Sequence, residues 1–96
     1  MQGPADRTTA HWFVSGRVQG VGFRYHVMRV AGRLDVRGDV RNLSDGRVEI
    51  RAQGSPEAIA ALLDEVKIGP ALAEVTSVEV GGADERWGFL GFDLRH

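Results

Sequence analysis

"GRVQGVGFRYH", residues Gly16 to His26, sets three glycines and no Asn, Asp or Pro ahead of an arginine. A loop that only had to turn could use one glycine. Three spaced ones suggest backbone that must approach something closely. Upstream, "HWFVSGRV" (His11 to Val18) alternates, with Trp12, Val14 and Val18 on one face and Ser15 and Arg17 on the other. That is the period of a strand, with Phe13 interrupting the polar side. Downstream, Phe23, Val27, Val30, Ala31 and Leu34 recur at helical spacing, with Arg29 and Arg33 opposite. This predicts a helix from about Gly22 to Leu34. The glycine stretch therefore joins a first strand to a first helix.

The rest of the chain extends this unit. "VRGDVRN" (Val36 to Asn42) alternates, with Val36, Val40 and Asn42 on one side. "LSDGR" supplies a hairpin turn through Asp45-Gly46. "RVEIRAQ" (Arg47 to Gln53) returns with Val48, Ile50 and Ala52 on one face. "SPEAIAALLDEVKIGP" is a helix capped by Ser55, opened by Pro56 and Glu57, and stopped by Gly69-Pro70. Its stripe is Ile59, Leu62, Leu63 and Val66. "AEVTSVEV" (Ala73 to Val80) is a further strand in which Val75 is out of phase with Val78 and Val80, the mark of a bulge. "GGADERWG" is a loop and "FLGFDL" (Phe89 to Leu94) a short last strand. The order predicts an α+β fold, a ferredoxin-like β-α-β-β-α-β two-layer sandwich: an antiparallel sheet with two helices on one face. Residues 1–10, with Gly3 and Pro4, are expected to be a disordered tail, and residues 11–96 one domain.

Composition narrows the function. With 96 residues, one domain is the natural unit. The net charge of -1 does not favour binding to nucleic acid through bulk charge. There is no cysteine, which excludes disulfides, thiol catalysis and Cys-based zinc sites. No apolar run approaches membrane-spanning length, and "MQGPADRTTAH" has no signal-peptide core. The expectation is a cytoplasmic monomer that binds neither membrane nor nucleic acid.

Two features carry chemistry. The helix N-terminus after "QGVG" has unpaired N–H groups and a partial positive charge, and the glycines let neighbouring N–H groups converge on it. Arg24, in the first turn, can reach back over the same point, so the segment suits a tetrahedral oxyanion such as phosphate. The glycines serve a tight turn equally well, and the residues alone leave both open. It is neither the dinucleotide pattern nor a Walker loop, since no Gly-Lys-Ser/Thr follows. Asn42 should face the helices. It either ties down the hairpin or uses its paired donor and acceptor to hold a water molecule.

The segment "GRVQGVGFR" resembles the signature of the acylphosphatases, and "AGRLDVRGDVRNLSDGRVEIRAQG" is similar to that family's second stretch. The resemblance spans about residues 11–95 and implies the same ferredoxin-like fold. It implies that Arg24 binds the substrate phosphate and that N–H groups of Gln19, Gly20, Val21, Gly22 and Phe23 complete the cradle. It implies that Asn42 orients the attacking water. Two departures, Asp35 within Leu34-Asp35-Val36 and Asp39 after the strand glycine, bear on rate, preference or edge stability rather than on reaction class.

The implied substrate is an acyl phosphate, hydrolysed to a carboxylate and inorganic phosphate without a metal or organic cofactor. His26 lies two residues beyond Arg24, about 200° around the helix, and should face away. His11 and His96 form no ligand cluster with it. One alternative is a non-catalytic phosphate or carbamoyl-phosphate binding module, which turnover by the isolated chain would separate. An RNA-binding sheet is disfavoured because the third strand's open face of Arg47, Glu49 and Arg51 has no aromatic residue for stacking, and Phe13 alone is weak.

Overall fold

The computed structural model describes residues 7–96. The elements are β1 (Thr8–Arg17), α1 (Phe23–Arg33), β2 (Arg37–Asn42), β3 (Val48–Gly54), α2 (Pro56–Ile68), β4 (Glu74–Val80) and β5 (Phe92–Arg95). The first strand starts earlier than its alternation suggested. Thr8, Thr9 and Ala10 pair with Gly54, Gln53 and Ala52, so they belong to the sheet and not to a tail. Of the rest of the expected tail, Arg7 is exposed and outside any element, and residues 1–6 lie outside the described residues.

The strand order is β4-β1-β3-β2-β5. The first four strands pair antiparallel, as expected for the β-α-β-β-α-β unit. β5 adds to β2 in parallel and makes the sheet mixed rather than wholly antiparallel. The helices cover one face. Val14, Val40, Val48, Ile50 and Ala52 point into that layer and meet Phe23, Val27, Val30 and Ala31 of α1 and Ile59, Leu62 and Val66 of α2. Burying such side chains contributes roughly 1.5–3 kcal/mol each before conformational entropy is set against it.

Local chemistry fixes the element ends. Ser55 Oγ accepts the Ala58 N–H at 3.1 Å, Pro56 occupies the first helical turn and Glu57 faces the positive end of α2. α1 ends differently. Val36 N–H donates to Ala31 O at 2.9 Å and Asp35 N–H to Gly32 O at 3.4 Å, a Schellman closure with Asp35 at φ 58°. A left-handed aspartate costs about 1 kcal/mol relative to glycine, which is what the Asp35 departure does to the helix end.

The valine phase slip in β4 is a bulge. Ser15 pairs with Ser77 but Gly16 with Val75, leaving Thr76 as the extra residue. The insertion brings Val75 and Val78, three positions apart, onto the core side. Gly16 exists for this bulge, since a Cβ there would lie 2.0 Å from Glu74 O and 2.9 Å from Thr76 N.

The open face of the sheet is not bare. The segment after β4 crosses it and brings Trp87 and Phe89 over β3. The Arg51 guanidinium lies 5.1 Å from one ring centroid and 5.2 Å from the other. Gln53 Nε2 donates to Trp87 O, and His11 Nδ1 lies 2.7 Å from Gly82 O. The third strand has no aromatic residue on this face, as expected, but the loop adds Trp87 and Phe89 to Phe13, which lies under the Arg47 guanidinium at 4.7 Å.

The glycines separate in a stability measurement. Gly16→Ala should lower stability by about 4 kcal/mol or prevent folding, because its Cβ meets backbone. Gly32→Ala, inside α1 with nothing within 4 Å of the new Cβ, should raise stability by roughly 0.5–1 kcal/mol. Urea unfolding of the two variants beside the parent checks both signs.

Candidate active site

β1 and β2 both run antiparallel to the β3 strand between them, so they point the same way, and β5 runs parallel to β2. The carboxyl ends of β1, β2 and β5 therefore lie at one end of the sheet. The glycine loop follows β1, Asn42 closes β2, and Arg95 closes β5. The topology brings together segments far apart in sequence.

The loop is shaped by two glycines. Gly20 has φ 75° and Gly22, the N-cap of α1, has φ 79°, and a Cβ at either would meet nothing within 4 Å. The demand at these positions is a left-handed backbone, not close packing. Only Gly16 of the three answers to close approach, and what it approaches is β4. Unlike α2, α1 has no side-chain cap and no acidic residue in its first turn. Its leading N–H groups and the positive end of its dipole are left without a protein anion. Phe23 is buried in the core and Val21 packs against it, so these side chains anchor the loop and leave only their N–H groups for a ligand.

Arg24 donates from Nη1 to Arg95 O at 2.8 Å. Arg95 pairs with Arg41, the residue before Asn42. The anchor of the Arg24 guanidinium thus sits one strand spacing, ~4.8 Å, from the end of β2. Asn42 faces the helix side, in phase with Val40, and its Oδ1 is buried without a hydrogen-bond partner among the described residues. A buried acceptor of this kind is unusual in a folded protein and fits a water or ligand hydrogen. The hairpin closes through its own backbone, with Leu43 N–H donating to Arg47 O at 2.8 Å, and Gln19 Nε2 adds bonds to Leu43 O at 2.8 Å and Arg47 O at 3.0 Å. His26 lies on the α1 flank away from Arg24 by helical geometry, with a buried, unpartnered Nε2.

Comparison with known proteins places the chain in a family. The sequence profile of the Acylphosphatase family matches residues 10–94. The chain belongs to the acylphosphatase family. It is 50% identical over 88 residues to the acylphosphatase of Thermococcus kodakarensis, covering 92% of this chain and 96% of that protein. It is 49% identical over 80 residues to that of Bifidobacterium longum, covering 83% and 82%. The structure of an acylphosphatase from Coxiella burnetii aligns with a TM-score of 0.87 at 36% identity, covering 99% of each chain. The resemblance carried by "GRVQGVGFR", and the ferredoxin-like fold with it, is borne out.

Sequence reasoning missed how the edge that holds Arg95 is secured. Asp39 is buried on the open face, hydrogen-bonded to Arg51 Nε at 2.9 Å and Nη2, and to Arg95 Nη1 at 3.3 Å. Alternation places Asp39 on that face, but nothing local names its partners. Burial pushes the Asp39 carboxyl up, and the hydrogen bonds and charges of Arg51 and then Arg95 outweigh it, so it titrates below its ordinary 3.8. In Glu49, burial likewise opposes His11 and Arg41, and the net direction is again down.

A depressed carboxyl stabilises the fold fully above its unfolded pKa and loses that contribution as pH falls toward the native value. The parent should lose stability on acidification below about pH 4. Asp39→Asn should be roughly 2 kcal/mol less stable at neutral pH, with two arginines left short of a partner. Its further loss below pH 4 should be smaller than the parent's. Urea midpoints across pH 3–7, set by the carboxylate range, measure both.

Proposed function

We infer that the chain is an enzyme that hydrolyses acyl phosphates to a carboxylate and inorganic phosphate, and we propose how its residues do so. The N–H groups of Gln19 to Phe23 cradle the phosphoryl group. Arg24 clamps its non-bridging oxygens, and Asn42 aims the water. The observation that carries the reading is the meeting, at one end of the sheet, of an uncapped helix N-terminus, an arginine held at Arg95 O, and an asparagine whose buried Oδ1 has no protein partner.

The chemistry asks little else of the protein. The water donates one hydrogen to Asn42 Oδ1 and directs a lone pair at phosphorus. It attacks in line with the bond to the acyl oxygen, that bond breaks, and the carboxylate leaves with the electron pair. A carboxylate is a good leaving group and needs no strong acid. A carboxamide is not basic enough to take the proton, which passes to a phosphoryl oxygen and leaves as part of inorganic phosphate. Positioning and charge stabilisation supply the rate.

Benzoyl phosphate hydrolysis in the presence of EDTA tests the assignment. The parent should turn over. Arg24→Ala and Asn42→Ala should each lose roughly 10²- to 10³-fold in kcat/KM. His26→Gln, on the far flank of α1, should retain near-parent turnover. A parent that binds inorganic phosphate without turnover would point to the binding-module alternative, and a pH inflection abolished in His26→Gln would contradict phosphate as proton acceptor.

A further inference from the structure

Gln19 stands out because its side chain has a task separate from its backbone. The carboxamide sits in the glycine loop, half-buried, and both of its hydrogens are used. One goes to Leu43 O at 2.8 Å and the other to Arg47 O at 3.0 Å. Leu43 directly follows Asn42. The two carbonyls flank the neck of the β2–β3 hairpin, one on each side.

The hairpin does not need Gln19 to close. Leu43 N–H already donates to Arg47 O at 2.8 Å, and Gly46 N–H to Leu43 O at 3.2 Å. Each carbonyl keeps a partner when the Gln19 side chain is removed. What disappears is the link between the loop and the hairpin. Asn42 Oδ1 has no protein hydrogen bond of its own, so the place of that oxygen relative to the loop is set through the backbone. The Gln19 carboxamide grips that backbone one residue away.

We propose that the Gln19 side chain is a positioning residue that fixes the Asn42-bearing end of β2 against the loop, and so sets the line of attack of the water on the phosphoryl group. The proposal rests on the reading of Asn42 given above. Gln19 touches neither water nor phosphate through its side chain. It acts by holding two segments in register, where an error near 1 Å is enough to cost about 10²-fold in rate.

A mutant cycle between Gln19→Met and Asn42→Ala tests this. Methionine keeps the length of the side chain and removes both donors. Single-turnover rates with enzyme in excess raise residual activity above spontaneous benzoyl phosphate hydrolysis, and competition by inorganic phosphate reports the cradle. Gln19→Met should lower kcat roughly 10- to 100-fold while inhibition by phosphate changes by less than about threefold. In the Asn42→Ala background the same change should cost almost nothing further, because the two act as a unit. Parent-like kcat in Gln19→Met, or an equal loss in both backgrounds, would overturn the proposal. Full turnover in Asn42→Ala would instead overturn the reading of Asn42. If Gln19→Met does not fold, Gln19→Leu enters the same cycle, since it also lacks both donors and adds no charge beside the phosphate.

Discussion

Everything at the site depends on β3 lying antiparallel between β1 and β2. That pairing makes the two outer strands point the same way, so a loop near residue 20 and an asparagine at 42 emerge at one end of the sheet. β5 then joins β2 in parallel and brings the carbonyl of Arg95 to the same end, where Arg24 reaches it. The loop with Arg24, Asn42 and Arg95 come from three segments far apart in sequence. Their meeting follows from strand direction and register, and the valine-rich core between sheet and helices holds that register. A one-residue slip of β2 would turn Asn42 to the open face and send Asp39 into the apolar layer.

The two faces of the sheet divide the work. The helix side carries the core and, at its end, the proposed phosphate cradle. The open side carries ion pairs and rings: Asp39 with Arg51 and Arg95, Glu49 with His11 and Arg41, and Arg51 over Trp87 and Phe89. His11 bridges two acceptors, with Nδ1 2.7 Å from Gly82 O and Nε2 2.8 Å from the Glu49 carboxylate. These contacts tie β5 and the segment before it onto the central strands. They bear on function indirectly, because the strand they secure is the one that anchors Arg24. The cradle itself contains no carboxylate among these pairs, so the stabilising charges do not compete with an anionic ligand.

How much of this was legible depends on how local each cause is. α2 could be read in full because its cap, its proline, its stripe and its stop all lie within sixteen residues. The β4 bulge was legible because a misplaced valine breaks a two-residue period. Thr8 to Ala10 were missed because a short polar run near the N-terminus shows no alternation. The covered open face was missed because its rings come from a loop more than thirty residues from the strand they cover, and loops have no period. For the site, Gly20, Gly22, Arg24 and Asn42 were found as residue types in order. The separate duty of Gly16, the grip of Gln19 on the hairpin and the Arg24 anchor at Arg95 were not, since each is a contact between distant segments that only the folded register creates.

The central claim is that a phosphate group sits on the loop amides between β1 and α1. The most direct test follows backbone amide resonances in ¹⁵N-labelled protein as inorganic phosphate is added. The largest shifts should cluster at Gly20, Val21, Gly22 and Phe23 and saturate together, with the Arg24 guanidinium signal moving in step. Shifts concentrated on the open-face residues around Arg51 and Trp87, or no saturable shift in the loop, would contradict it.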